Sequence, residues 1–277
     1  MNLKQPKSVK IISALIILLL VFITLFPLFL MILNSFKTRI EITTNPLALP
    51  QNPSFINYKN AWKQAKVQDA AINSIILVIG TLGITLLAST TAAYALANKR
   101  IRVWPQLSVY FLVCNTIPKQ LFIIPLFFIL QKMNLINNLV AMMFIYSALY
   151  TPFAIFLLRT YFIGINRDIT NSAIIDGASK LQVFSYIVMP LVQPGLLTVA
   201  LIIGLWCWNE FLFSVTFLQK ESVTTLAVRF YAFSSRYVTE WGNMMAFAVF
   251  VSVPIILFFL LLQRYFIDGM TSGGVKG

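Results

Sequence analysis

Apolar residues along this chain fall into six long runs, at residues 11–33, 70–97, 107–130, 139–162, 191–218 and 244–262. Each run is close to the ~20 residues that a helix needs to cross a bilayer core. The pattern predicts six transmembrane helices joined by polar stretches. The first run follows Lys4, Lys7 and Lys10, as a signal peptide would. It is too long for a signal segment and carries no small-residue cleavage site, so it predicts an uncleaved first helix. Pro27, Pro118, Pro125, Pro152 and Pro254 lie inside the runs and predict kinks. A membrane helix tolerates proline where neighbouring groups satisfy the freed carbonyl.

Composition supports this all-α, polytopic reading. Of 277 residues, 59% are hydrophobic and 10% charged. Soluble domains carry about 25% charged residues, so this chain cannot cover a water-facing surface. The net charge of +13 is scattered through the inter-run stretches, with no aromatic-interleaved basic motif of a nucleic-acid binder. It reads as topology and contact with anionic lipid, not as nucleic-acid binding. Lys99, Arg100 and Arg102 cluster between the second and third runs. With the N-terminal lysines they place both segments in the cytoplasm.

Parity then predicts a cytoplasmic N-terminus (1–10), a transmembrane domain (11–263) and a cytoplasmic tail (264–277). The first outer loop also carries Lys37, Arg39, Lys59, Lys63 and Lys66, but it is long, and density near span ends is what orients a span. Pro46, Pro50 and Pro53 precede Tyr58 and Trp62, one helical turn apart. They predict a short outer helix with aromatic anchors at headgroup depth.

The side chains available exclude most chemistry. There is no histidine, and Cys114 and Cys207 sit in apolar runs without metal-ligand spacing. They read as small buried hydrophobes, and no metal site is expected. The acids Glu41, Asp69, Asp168, Asp176, Glu210, Glu221, Glu240 and Asp268 are dispersed, and no GxxxxGK[ST] loop is present. The chain is not expected to be an enzyme or to hydrolyse ATP. A stand-alone carrier would show charges in several spans or an internal repeat, and neither is evident.

One segment stands apart. Between the fourth and fifth runs the chain reads NSAIIDGASKLQVFSYIVMPLVQP, from Asn171 to Pro194. Thr170 or Asp168 can cap a first short helix. Gly177 breaks it. Ser179 can cap a second helix over 180–189, with Leu181, Phe184 and Val188 on one face. Pro190 marks the passage into the fifth span. Taken alone, the pattern fits a surface turn or a docking element.

The residues resemble the EAA loop of bacterial ABC importer permeases, E-A-A, three residues, Gly, nine residues, I-x-L-P. Ala173 matches the last alanine, Asp176-Gly177-Ala178 the D-G-A of the carbohydrate branch, and Ile187 and Pro190 the closing positions. Asn171 stands where glutamate is usual, Ser172 where alanine is, and Met189 replaces the leucine. The resemblance covers nearly the whole chain. It includes Pro27 with Asn34-Ser35-Phe36-Lys37-Thr38, the stretch from Pro53 to Trp62, Ala93-Tyr94-Ala95, and Ile117-Pro118 with Pro125. Trp208-Asn209-Glu210-Phe211 and the ending from Gln263-Arg264-Tyr265-Phe266 to Gly277 complete it. In order and in register, these pieces resemble the smaller permease subunit of maltose-type carbohydrate importers.

The resemblance implies a multi-pass protein of the bacterial plasma membrane, with both termini cytoplasmic. It implies a heterodimer with a second permease, an ABC ATPase dimer that holds ATP and Mg, and an extracellular solute-binding protein. No cofactor is implied in this chain. The cargo would be a carbohydrate, foremost an oligosaccharide, or a related polar solute such as a glycerol phosphate ester. The loop at 164–190 would couple to the ATPase through Ala173, Asp176, Gly177, Ala178, Leu181, Phe184, Ile187 and Pro190, with Leu181 and Phe184 as apolar anchors. Asn171 removes a charge, so no salt bridge is expected there. Gly269, Gly273, Lys276 and Gly277 of the tail would also reach the ATPase. Trp208, Asn209 and Glu210 are candidates for the translocation path. Glu210 would face a cavity, or be wet at the outer interface. Trp206 and Trp208 would stack on sugar rings or anchor the span.

Overall fold

The computed structural model describes residues 7–97, 104–236 and 239–274. Among these it is helical, without strands. In chain order the helices are α1 (Lys7–Ser35), α2 (Arg39–Thr44), α3 (Ile56–Gln64), α4 (Val67–Ala97) and α5 (Trp104–Thr116). A 3₁₀ turn, Lys119–Phe122, leads into α6 (Ile123–Lys132). Then come α7 (Leu139–Ile163), α8 (Arg167–Ile175), α9 (Lys180–Gln182), a π-helical turn (Val183–Val188) and α10 (Met189–Asn209). Last are α11 (Leu212–Phe217), α12 (Leu226–Arg236) and α13 (Trp241–Gly274).

Among the described residues, five helices are long and apolar enough to cross a membrane: Val9–Ser35, Val67–Ala97, Leu139–Ile163, Lys180–Asn209 and Trp241–Arg264. The third predicted span, 107–130, is not one helix. It bends by 89° between Thr116 and Lys119, where Pro118 takes a non-helical ψ of 117°. A proline there removes a donor and clashes with the preceding turn. The fifth span also differs from the expected 191–218. It begins at Lys180 and ends at Asn209, and α11 is a separate short helix. α12 forms within a stretch for which hydropathy predicts only a loop. α13 runs on to Gly274, so Gly269 and Gly273 are helical. Lys276 and Gly277 lie outside the described residues, as do Lys4, Lys99, Arg100 and Arg102.

The chain forms two compact units. The first comprises residues 1–67 and 229–253. The side chains of α1 are exposed from 9 to 29, as suits a helix that is apolar all round and meets lipid. Beyond it the loop that follows α1 is held by buried polar groups. Asn57 donates to the carbonyls of Ser35 and Lys37, both at 2.8 Å. The Tyr58 hydroxyl and Ser35 Oγ are 2.6 Å apart. Lys37 is only 2% exposed and donates to the Pro46 carbonyl at 2.9 Å. Burial pushes its ammonium pKa down, and Glu41 opposes the shift.

Glu41 closes a capping box with Thr38. It also accepts from the Gln51 amide at 2.9 Å. These bonds hold its carboxyl below the usual range. Tyr58, expected as a headgroup anchor, instead packs on Phe36, Phe55 and Phe250. Trp62 meets the edge of Phe250 and stays 44% exposed.

The second unit comprises residues 68–228 and 254–277. Its core lies among α4, α7 and α10, with Leu77, Tyr146, Leu158, Val199 and Ile203 buried. Small residues let membrane helices approach closely. A Cβ on Gly195 of α10 would lie 2.5 Å from the Tyr161 ring of α7. Polar side chains cross-link the packed helices and loops. Asn73 donates to the Ser222 and Thr224 carbonyls at 2.9 and 3.1 Å. Ser74 accepts from the Leu226 amide at 2.9 Å. Asn137, at φ +63°, accepts from the Lys220 amide at 2.6 Å.

Candidate functional site

The segment singled out by the sequence is a helix–turn–helix hairpin. Asn166, not Thr170 or Asp168, caps α8, accepting from the Asp168 amide at 3.0 Å. α8 ends in a glycine-based C-terminal cap. The Gly177 amide donates to the Ile174 carbonyl at 3.1 Å, and the Ala178 amide to the Ala173 carbonyl at 2.9 Å. This is the Schellman arrangement, which needs a left-handed residue at the turn. Gly177 supplies it at φ +90°. Ser179 then caps the next helix, and Gln182 returns a bond to the Ser179 amide at 2.8 Å. From Lys180 the helix continues without interruption into α10, through one π turn at Val183–Val188.

The hairpin has two faces. Ile175 is 84% exposed and Leu181 74% exposed. Asp176, Gly177 and Pro190 are exposed as well. Ala173, Ala178 and Phe184 are partly buried and pack on the chain's own core. Ile187 is also partly buried. Phe184, expected beside Leu181 as an outward anchor, instead contacts Tyr94 of α4 at 4.9 Å between ring centroids. Tyr94 in turn meets Phe162 of α7 at 5.5 Å. A cavity of about 180 Å³ opens beside the hairpin, lined by Tyr94, Arg167, Thr170, Asn171, Ile174, Lys180 and Val183. Such a hairpin can bury its exposed apolar side in another protein and pass the resulting force inward through Phe184.

At the other end of α10, Glu210 occupies the break before α11. Its carboxylate accepts from the Phe213 amide at 2.9 Å and the Ser214 amide at 3.1 Å. It also accepts from the Tyr146 hydroxyl. Tyr146 is itself 2.8 Å from Ser214 Oγ. Glu210 is half-buried and stitches α7, α10 and α11 together. Asn209 is exposed and bonds back to the Leu205 carbonyl at 2.9 Å. Trp208 is half-buried.

Sequence reasoning passed over Lys119. It stands at the bend of the broken span, 4.4 Å from the Tyr150 ring centroid and 4.8 Å from that of Trp206. Trp206 also packs on Phe153 at 4.7 Å. A lysine directly after a proline inside an apolar run was the available signal. Cys207 is buried and Cys114 partly buried, both as free thiols. Among the described residues no cluster fit to hold a metal ion occurs.

The described residues thus form membrane-length helices and one bent pair, with a capped hairpin leading straight into a span. Comparison with known proteins agrees. Residues 85–272 match the family described as binding-protein-dependent transport system inner membrane component. The chain is 32% identical to the probable ABC transporter permease protein YurM of Bacillus subtilis (strain 168), over 91% of this chain and 84% of YurM. It is 28% identical to that organism's melibiose/raffinose/stachyose import permease protein MelC, over the full length of both. Its fold superposes on a crystal structure of a bacterial ABC transporter involved in import of the acidic polysaccharide alginate. There the TM-score is 0.81, with 21% identity over 96% of this chain and 99% of the other.

The chain therefore belongs to the binding-protein-dependent transport system inner membrane component family. It is a transporter permease, not an enzyme, and the all-helical polytopic fold expected from the sequence is borne out. Membership implies a partner permease, an ATPase and a solute-binding protein.

Proposed function

We propose that this chain and a second, different permease form the alternating-access path for an oligosaccharide handed over by an extracellular binding protein. In this reading both termini are cytoplasmic, and the 164–190 hairpin docks on one subunit of an ATPase dimer that holds ATP and Mg. The observation that carries it is the hairpin itself. A left-handed glycine turn holds Ile175 and Leu181 outward, on a helix continuous with a membrane span. Closure of the ATPase dimer would push on these side chains. Ala173, Ala178 and Phe184 would carry the motion into α4 and α7, and Ile187 and Pro190 into α10. Asp176 would sit at the docked turn without a promised salt bridge, since Asn171 offers no charge. Trp208, Asn209 and Glu210 would border the path. The tail from Gly269 and Gly273 to Lys276 and Gly277 would reach the ATPase.

The test is Gly177→Val. A β-branched residue at positive φ is a steric outlier, so the turn must reshape. The variant is expected to reach the membrane but to lose sugar uptake and the stimulation of ATPase activity by the loaded binding protein. Wild-type uptake in Gly177→Val would remove the coupling role. Failure of the wild-type chain to co-purify with an ATPase would remove the importer assembly.

A further inference from the structure

The bend between α5 and α6 places a cation among aromatic rings in the middle of an apolar span. Three observations meet there. First, non-helical backbone at membrane depth persists only where protein buries it or water reaches it. Within this chain Ile117, Pro118 and Gln120 at the break are exposed, so the break is open on this chain's surface beside Lys119. Second, Lys119 has three donors. Among the described residues its ammonium contacts the faces of Tyr150 and Trp206, and no carboxylate or carbonyl accepts from it. Ionisable groups within spans otherwise pair with one another or with carbonyls. Third, Trp206 remains 39% exposed, leaving indole surface free beside the cation. All three side chains lie in the second unit.

We propose that Lys119, Tyr150 and Trp206 form a substrate-contacting subsite in this subunit that selects a sugar bearing a carboxylate. Cation–π attraction orients the ammonium but leaves its N–H donors unfilled, and a carboxylate supplies both charge and acceptors. The free surface of Trp206 stacks on the sugar ring. The site is separate from Trp208, Asn209 and Glu210, where the carboxylate oxygens are already engaged. The inference rests on the importer reading only for the statement that this face lines the sugar path.

The experiment titrates the chain in nanodiscs, with and without its co-purified partners, and reads tryptophan fluorescence. The probes are digalacturonate and the neutral trisaccharide raffinose. Digalacturonate is expected to give a saturable change that Trp206→Phe removes. Lys119→Gln should weaken its Kd at least tenfold, and Lys119→Arg should restore it to within threefold. Raffinose should bind more weakly and be indifferent to Lys119→Gln. Three results would each overturn the proposal: no digalacturonate response, a response unmoved by Lys119→Gln, or a response lost when the partners are present. The last would mean that an acid of the second permease already pairs with Lys119. Circular dichroism of each variant identifies any that fails to fold, and Lys119→Met then replaces Lys119→Gln. If no ATPase co-purifies, the importer assembly fails while the titration of the chain alone still reads the site.

Discussion

Glu210 shows how a carboxylate is accommodated at the end of an apolar helix. The chain breaks after Asn209, and the first amides of α11 lose their carbonyl partners there, as at any helix start. Glu210 reaches forward to two of them and sideways to Tyr146. Its charge is spread over three donors. Glu210→Ala leaves those donors unfilled at a cost of about 1–3 kcal/mol, and the protein is expected to melt at lower temperature in detergent. Glu210→Gln keeps one acceptor and should lose less. Equal melting of wild type and Glu210→Ala would show that the carboxylate holds nothing together. The sequence marks Glu210 as unusual because it is ionisable in an apolar run. It does not reveal the role, because the break that creates the need for a cap is invisible to hydropathy. Phe184 teaches the same lesson. Its place on an amphipathic face is legible, but which side that face turns to depends on Tyr94, ninety residues earlier.

Helices were legible where a single local signal decides them. Length and apolarity mark α1, α4, α7 and α13, and Ser179 and Gly177 mark the hairpin because caps act within a few residues. The 89° bend was not legible as a bend, since Pro118 announces a weak point but gives no angle. The direction of α6 is set later, by its packing against α11. Close packing of helices is equally a property of pairs. Gly195 reads as an ordinary break in a sequence, yet it is the place where α10 meets the Tyr161 ring of α7. Gly195→Val forces these helices apart. Overpacking of this kind costs about 1–3 kcal/mol. The variant is expected to show a lower melting temperature and reduced yield, and Tyr161→Ala in the same chain should recover part of the loss. A Gly195→Val protein as stable as wild type would show that the contact is loose.

For the whole molecule, the proposed topology makes a directional claim. In that proposal the hairpin would lie on the cytoplasmic side and α3 on the outer side. In a background with Cys114 and Cys207 replaced by serine or alanine, Ile175→Cys offers a highly exposed position on the hairpin. A membrane-impermeant maleimide is expected to label it in inside-out vesicles and not in intact cells. Lys59→Cys in α3 should behave in the opposite way. Labelling of Ile175→Cys from outside would invert the chain and place the hairpin beyond the reach of any cytoplasmic ATPase.

The helix from Lys180 to Asn209 has 30 residues, about 45 Å at 1.5 Å per residue. It is stiff along its length, yet its wide turn at Val183–Val188 holds a surplus residue. Moving that surplus by one turn exchanges one hydrogen bond for another and rotates the intervening side chains by about 100°. The element can thus act as a screw as well as a piston. A push on Leu181 need not shift the whole shaft; rotation of the side chains beside the wide turn can take it up.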